Sequence, residues 1–149
     1  MEKEKVQNTA KPPVDDYALY ADDDPDDRAT LLESFESHVK DKKLETVSTG
    51  DELLDYLGRN IQAKGLPCLI ILDQNMPGMT GDEVLEVLKT NEWYKDIPVV
   101  MFSTSSHMNV ELLKKYGVGL EIKPDHYSGW ESLALLLLKH CDRFKRSVL

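Results

Sequence analysis

In Cys68-Leu69-Ile70-Ile71-Leu72-Asp73-Gln74-Asn75-Met76-Pro77-Gly78-Met79 an apolar run ends abruptly on a carboxylate. Gly65 and Pro67 bound the run on one side and Pro77-Gly78 on the other, which predicts a short buried strand followed by a tight loop. Asp73 then stands at the carboxyl end of a strand, where open parallel sheets place their chemistry. In isolation, Asp73 ahead of Asn75 and Pro77 describes a plain turn former equally well. The rest of the chain has to choose between the two.

Strand and helix patterns alternate on both sides of that stretch. A strand is expected over about residues 17 to 22, then a helix opening near Pro25 with Leu31, Leu32, Phe35 and Val39 at helical spacing. A weaker strand covers about 44 to 48. Thr49 precedes Gly50-Asp51-Glu52 as a capping start for a helix carrying Leu53, Leu54, Leu57 and Ile61. A third helix starts near Gly81 with Val84, Leu85 and Leu88 on one face. A strand over about 97 to 102, a helix over 107 to 116, a strand over 119 to 123 and a helix over 128 to 143 complete the pattern. Five strand-helix repeats with apolar strands imply α/β architecture, a doubly wound parallel sheet covered on both faces. Residues 1 to 15, polar with Pro12-Pro13, are expected to be a mobile lead-in, residues 16 to 143 the domain, and 144 to 149 a tail.

Composition narrows the function classes. A chain of 149 residues holds one domain with a substantial core, and 41% hydrophobic with 30% charged residues is ordinary for a globular protein. A formal charge of -9 argues against binding nucleic acid, which draws on clustered Lys and Arg. Lys139, His140, Arg143, Lys145 and Arg146 form the one basic cluster and read as a solvated helix end. The two cysteines, Cys68 and Cys141, have neither a paired nor a metal-ligand spacing, which points to a reducing compartment. Neither a signal peptide nor a membrane span is legible, so a cytoplasmic protein away from membranes is expected.

The Asp73 segment resembles the phosphoacceptor loop of two-component response-regulator receiver domains, with Pro77, Gly78 and Gly81 in the family's places. Three further marks agree: Asp22-Asp23-Asp24-Pro25 after Leu19-Tyr20-Ala21, Ser103 after Ile97-Pro98-Val99-Val100-Met101-Phe102, and Lys123-Pro124 after Leu120-Glu121-Ile122. Each closes an apolar strand, and all four follow the family's order across about residues 17 to 141. The resemblance implies the flavodoxin-like receiver fold, a five-stranded sheet of order 2-1-3-4-5. Narrower likeness to single-domain regulators, of the chemotaxis type and those associated with phytochrome kinases, comes from the loops and the acidic start.

Phosphorylating a carboxylate brings a doubly charged donor against an anion, and a hard divalent cation with oxygen ligands cancels the repulsion. The resemblance implies Mg²⁺ ligated directly by Asp23, through water by Asp22, by Asp73 through its second oxygen, and by the Asn75 backbone carbonyl. It implies Asp73 as nucleophile, with the Lys123 ammonium and Ser103 hydroxyl on the phosphoryl oxygens. The Lys-Pro bond in the family is often cis, which fixes the lysine's direction. The expected function is that of a single-domain response regulator without an output domain, a signalling protein and not an enzyme. It takes its phosphoryl group from a sensor histidine kinase or phosphotransfer protein and acts on a downstream protein target. The alternative is a receiver-fold adaptor that works without phosphorylation.

Other readings remain at this level. Asp24, Asp26 and Asp27 suit the positive end of a helix dipole, and Ser105 or Ser106 suits a helix cap. His38, His107, His126 and His140 show no metal or triad spacing. Asp22, Asp24, Asp26, Thr30 and Glu33 fall at EF-hand positions, but Asp27 stands where that loop needs Gly. An aspartyl phosphohydrolase would carry an acid two residues after its nucleophile, where this chain has Asn75. Two departures from the family stand out. Leu120 occupies the place of an aromatic switch residue, with Tyr116 as a nearby substitute, and the Ser103 to Lys123 interval is about two residues short around Tyr116-Gly117-Val118-Gly119. In the last helix, Trp130, Leu133, Ala134, Leu137, Leu138 and Cys141 make a packing face, while Leu135 and Leu136 widen it. That width predicts a homodimer through Leu136 and the region near Leu112.

Overall fold

The computed structural model describes residues 10–103 and 109–148 of the chain. Its elements alternate: β1 (Tyr17–Ala21), α1 (Pro25–His38), β2 (Lys43–Val47), α2 (Gly50–Lys64), β3 (Leu69–Asp73), α3 (Gly81–Lys89), β4 (Val99–Ser103), α4 (Val110–Tyr116), β5 (Gly119–Ile122) and α5 (Tyr127–Ser147). The strands form one parallel sheet in the order β2-β1-β3-β4-β5. The chain therefore reverses its winding between β1 and β3, and a crevice opens there at the carboxyl ends of both strands.

Period-two alternation sends each strand's side chains to two cores. Ala18, Tyr20, Leu69, Ile71, Val100 and Phe102 face α1 and α5, where Leu31, Phe35, Trp130, Leu133 and Leu137 meet them. Leu19, Ala21, Ile70, Leu72 and Met101 face α2 and α3, meeting Leu53, Leu57, Ile61, Val84, Leu85 and Leu88. Every residue of β1, β3 and β4 is buried, which accounts for their continuous apolar runs. Each fully buried Leu, Ile or Phe stabilises the fold by about 1.5–3 kcal/mol before entropy is counted. The edge strands differ, β2 and β5 being half exposed.

Helix starts follow their capping chemistry. Asp24 accepts from the Asp26 and Asp27 amides at 2.9 and 3.4 Å, Thr49 from Glu52, and Thr80 with Glu83 closes a capping box. Asn109 caps α4 by accepting from the Leu112 amide at 3.1 Å. Ser105, Ser106 and His107 lie outside the described residues. Thr30 and Glu33 lie within α1, strung along a helix, so they cannot curl around an ion with Asp22 as an EF-hand loop demands.

Three expectations need correction. Cys68 and Cys141 form a disulfide, their Cα atoms 4.8 Å apart. The 73 residues between them hid the pairing, which exists because α5 packs across the start of β3. The cysteines therefore supply no argument for a reducing compartment. Residues 12–15 are tied down where a mobile lead-in was expected: Pro12 is buried, Val14 bridges Leu66, and Asp15 and Leu66 donate to Leu66 and Pro13 carbonyls at 2.8 Å. Finally, α5 runs to Ser147, through most of the expected tail. Lys145 in that extension pairs with Asp16 at 2.5 Å, and the buried Lys42 pairs with Asp142 at 3.0 Å, stitching the helix end to β1 and β2.

Candidate functional site: a carboxylate cluster at the sheet's switch point

The crevice between β1 and β3 gathers the acidic residues that the sequence placed at strand ends. Asp73 closes β3 and is buried; Asp22 follows β1 and is fully buried; Asp23 beside it is exposed. Carboxylate oxygens of the three lie within 4.8 Å of one another. Such a group is self-repelling unless a cation joins it, and its all-oxygen donor set with one solvent-facing member fits a hard divalent ion that keeps waters. Among the described residues no His or Cys takes part, which is the donor set expected for Mg²⁺, Ca²⁺ or Mn²⁺ and not for a softer metal.

One cation of the chain itself already sits in the crevice. Lys123, just after β5, is held there by its backbone amide, which donates to the Ser103 carbonyl at 2.8 Å. Its Nζ lies 2.7 Å from Asp22 Oδ2, 2.8 Å from Asp27 Oδ2 and 3.6 Å from Asp73 Oδ1. Burial disfavours the ammonium, but Asp22, Asp27 and Asp73 outweigh that and hold its pKa above the ordinary lysine range. The Lys123–Pro124 bond is trans, since no cis peptide occurs among the described residues. The lysine is aimed by its ion pairs and the Ser103 anchor instead.

The two aspartates of the cluster after β1 differ in environment. Asp22 accepts from the Tyr20 hydroxyl through Oδ2 and from the Asp24 amide at 2.9 Å through Oδ1, while Arg28 donates to its carbonyl at 2.7 Å. Its lone pairs are largely engaged. Among the described residues no hydrogen bond or ion pair engages Asp23, which leaves both of its oxygens for a ligand. In the core on that side Phe102 meets Tyr20 and Trp130 edge to face, with ring centroids 5.8 Å apart in both pairs.

Asp73 is pushed up to about 7 by burial first and by the charge of Asp22, against the opposing pull of Lys123 and of the Asn75 backbone amide, which donates to it. A carboxylate so disfavoured as an anion gains from any arriving cation. The loop after it is shaped by glycine. Gly78 has φ +78°, and a Cβ on Gly81 would lie 2.7 Å from the Asp73 carbonyl oxygen and 2.9 Å from Gln74 Cα. Only glycine lets α3 start so close to the acceptor loop.

The four sequence marks thus converge: Asp22, Asp23, Asp73, Asn75 and Lys123 share the crevice, and Ser103 is buried at the end of β4, registered against Ile122. Tyr20, Asp27 and Arg28 were missed. Tyr20 stands two residues before Asp22, on the same face of the strand line, so alternation could have found it. Asp27 carried no local sign, because packing across 96 residues brings it to Lys123. Tyr116 donates to Glu86 Oε1 on α3 at 2.6 Å, and Leu120, level with Met101, is exposed on that same face.

A doubly wound sheet with acidic side chains gathered at its switch point, faced by a lysine from the last strand, defines a phosphoacceptor-type signalling domain. The family model of the response regulator receiver domain matches residues 18–122, and the chain belongs to that family of two-component signalling proteins. Among curated relatives, "Two-component response regulator ARR6" of Arabidopsis thaliana is 30% identical over 96 residues, covering 60% of this chain and 50% of its own. ARR3 of the same plant is 31% identical over 106 residues, covering 65% and 45%. The chain spans about half the length of the curated relatives it matches. Among solved structures, the Mn(2+)-bound form of response regulator Rcp1 is 25% identical with TM-score 0.69 over 80% of this chain and 89% of that one. The phosphorylated cyanobacterial phytochrome response regulator RcpA is 26% identical with TM-score 0.71 over 80% and 88%.

Proposed function

We propose that this receiver accepts a phosphoryl group on Asp73 from a phosphohistidine protein, with Mg²⁺ bound by Asp22, Asp23, Asp73 and the Asn75 carbonyl, and relays the event through a protein contact. The observation that carries it is the convergence of Asp73 with two further carboxylates and with Lys123 at the sheet's switch point. When bound, the ion supplies charge neutralisation for the incoming phosphoryl group. The chain's own residues do the rest. Asp73 Oδ forms the bond to phosphorus while the phosphorus–nitrogen bond to the imidazole breaks; the electron pair leaves with the ring, which takes a proton from solvent. Ser103, at the end of β4, and Lys123, just after β5, would neutralise and hold the phosphoryl oxygens. Burial of Asp73 limits water, and Asn75 offers no carboxylate two residues on to activate it. Both features support a lasting aspartyl phosphate over rapid turnover. The similar structures of Rcp1, in a Mn(2+)-bound form, and of RcpA, phosphorylated, support the same reading.

A phosphohistidine donor of this class supports a cytoplasmic protein, since a sensor kinase draws on nucleotide there. A homodimer is supported by exposed Leu135 and Leu136 on α5 with exposed Leu120 and Ile122 on the neighbouring edge strand. Leu112 is half-buried against the core and contributes only an edge. The deciding experiment is intact mass after treatment with acetyl phosphate and Mg²⁺. One added phosphate is expected in the wild type and none in Asp73→Asn; an unchanged adduct in that variant refutes the site. Light scattering of wild type and Leu136→Glu, with and without phosphodonor, tests the dimer, and a monomeric wild type in both states at tens of micromolar refutes it.

A further inference from the structure

Asp26 and Asp27 are adjacent in sequence and sit in the same first helical turn, yet they do different things. Asp26 is exposed, as a residue answering only the helix dipole is expected to be. Asp27 turns inward, keeps only about a fifth of its side-chain surface, and puts Oδ2 2.8 Å from Lys123 Nζ, closer than Asp73 Oδ1 at 3.6 Å. Lys123 is itself buried, so this pair is not a screened surface contact. The lysine that is to meet the phosphoryl group is thus held by Asp22 at 2.7 Å and, on the α1 side of the crevice, by a carboxylate outside the metal-ligand set.

We propose that Asp27 is a positioning residue of the phosphoacceptor site, a latch that retains Lys123 on α1 until a phosphoryl group on Asp73 draws it across. This inference rests on Asp73 being the acceptor. Before phosphorylation the lysine divides its donors between Asp22 and Asp27. A dianionic phosphoryl group beside Asp73 competes for the same ammonium, and the stronger acceptor takes it. Asp27 then loses its partner and faces solvent at the start of α1. The latch slows phosphorylation, because Lys123 reaches the transferring group only by giving up the pair. It also ties the state of Asp73 to the amino-terminal turn of α1.

The test is the rate of phosphorylation by acetyl phosphate at saturating Mg²⁺ in a double-mutant cycle. Asp27→Asn is expected to raise the rate about fivefold, and Asp27→Glu to return it toward wild type. In a Lys123→Gln background the same Asp27→Asn change is expected to do nothing. Equal acceleration in both backgrounds would mean that Asp27 merely repels the anionic donor, and no acceleration in either would mean that it is structural; both outcomes overturn the latch. Where Lys123→Gln reacts too slowly to time, the Lys123 side-chain nitrogen resonance decides. It is expected to shift on Asp27→Asn before phosphorylation and to coincide with wild type afterwards; a resonance indifferent to Asp27 before phosphorylation overturns the proposal. Failure of the wild type to gain phosphate on Asp73 would refute the function proposed above, whereas normal phosphorylation of both wild type and Asp27→Asn would refute the latch alone.

Discussion

Replacing Asp73 with Asn should stabilise the metal-free protein, and by an amount that grows with pH. Burial and the neighbouring Asp22 raise the Asp73 carboxyl from 3.8 to about 7. Between those values the native state keeps a proton that the unfolded chain has released, so wild-type stability falls as pH rises through the window. With about 1.4 kcal/mol for each tenfold change in proton affinity, the ionised group costs the fold about 4 kcal/mol at pH 8 and under about 2 at pH 5. Lys123 and Asp22 readjust when the charge is removed, which reduces the observable pH-dependent gain to about 2 kcal/mol. Urea unfolding of both proteins at pH 5 and pH 8 in chelator measures it, every other carboxylate being common to the pair. Repeating the pH 8 comparison with millimolar Mg²⁺ should shrink the advantage, because the ion stabilises only the carboxylate form. A stability difference equal at the two pH values would refute the account of Asp73 as a disfavoured anion.

Four further outcomes are expected. Asp23→Ala should weaken Mg²⁺ binding more than Asp22→Ala, by titration calorimetry, because Asp23 has both oxygens free while Tyr20, Asp24 and Lys123 already engage Asp22; a stronger loss in Asp22→Ala reverses the assignment. Asp22→Ala should instead be the more destabilising change, by about 1–3 kcal/mol, since it strands the Tyr20 hydroxyl in the core; equal urea midpoints for the two variants would contradict this. Gly81→Ala should cost about 1–3 kcal/mol and slow phosphorylation, because its Cβ would meet backbone atoms of the acceptor loop; thermal melting and phosphate uptake check both. Reducing Cys68–Cys141 should lower stability by up to about 4 kcal/mol, the chain-entropy figure for so long a loop, and unfolding curves indifferent to reductant would count against the pairing.

Much of the site could be read without coordinates because each part of it ends a strand. Asp22, Asp73 and Ser103 close apolar runs buried on both faces, Lys123 follows the half-exposed edge strand β5, and a parallel sheet aligns all such ends on one edge. That is a local signal repeated four times. The boundary at Thr49 was legible because capping is settled within one turn. What tertiary structure alone decided lies between residues distant in sequence. Asp27 looks like Asp24 and Asp26 until α1 docks against the crevice and one of the three finds Lys123. Cys68 and Cys141 look unrelated until α5 crosses the start of β3. Pro12 to Asp15 look like a loose end until Leu66 accepts and donates to them. Periodicity reports which face of an element is buried, and capping reports where it stops; neither reports which neighbour a buried side chain meets, because that depends on how whole elements pack.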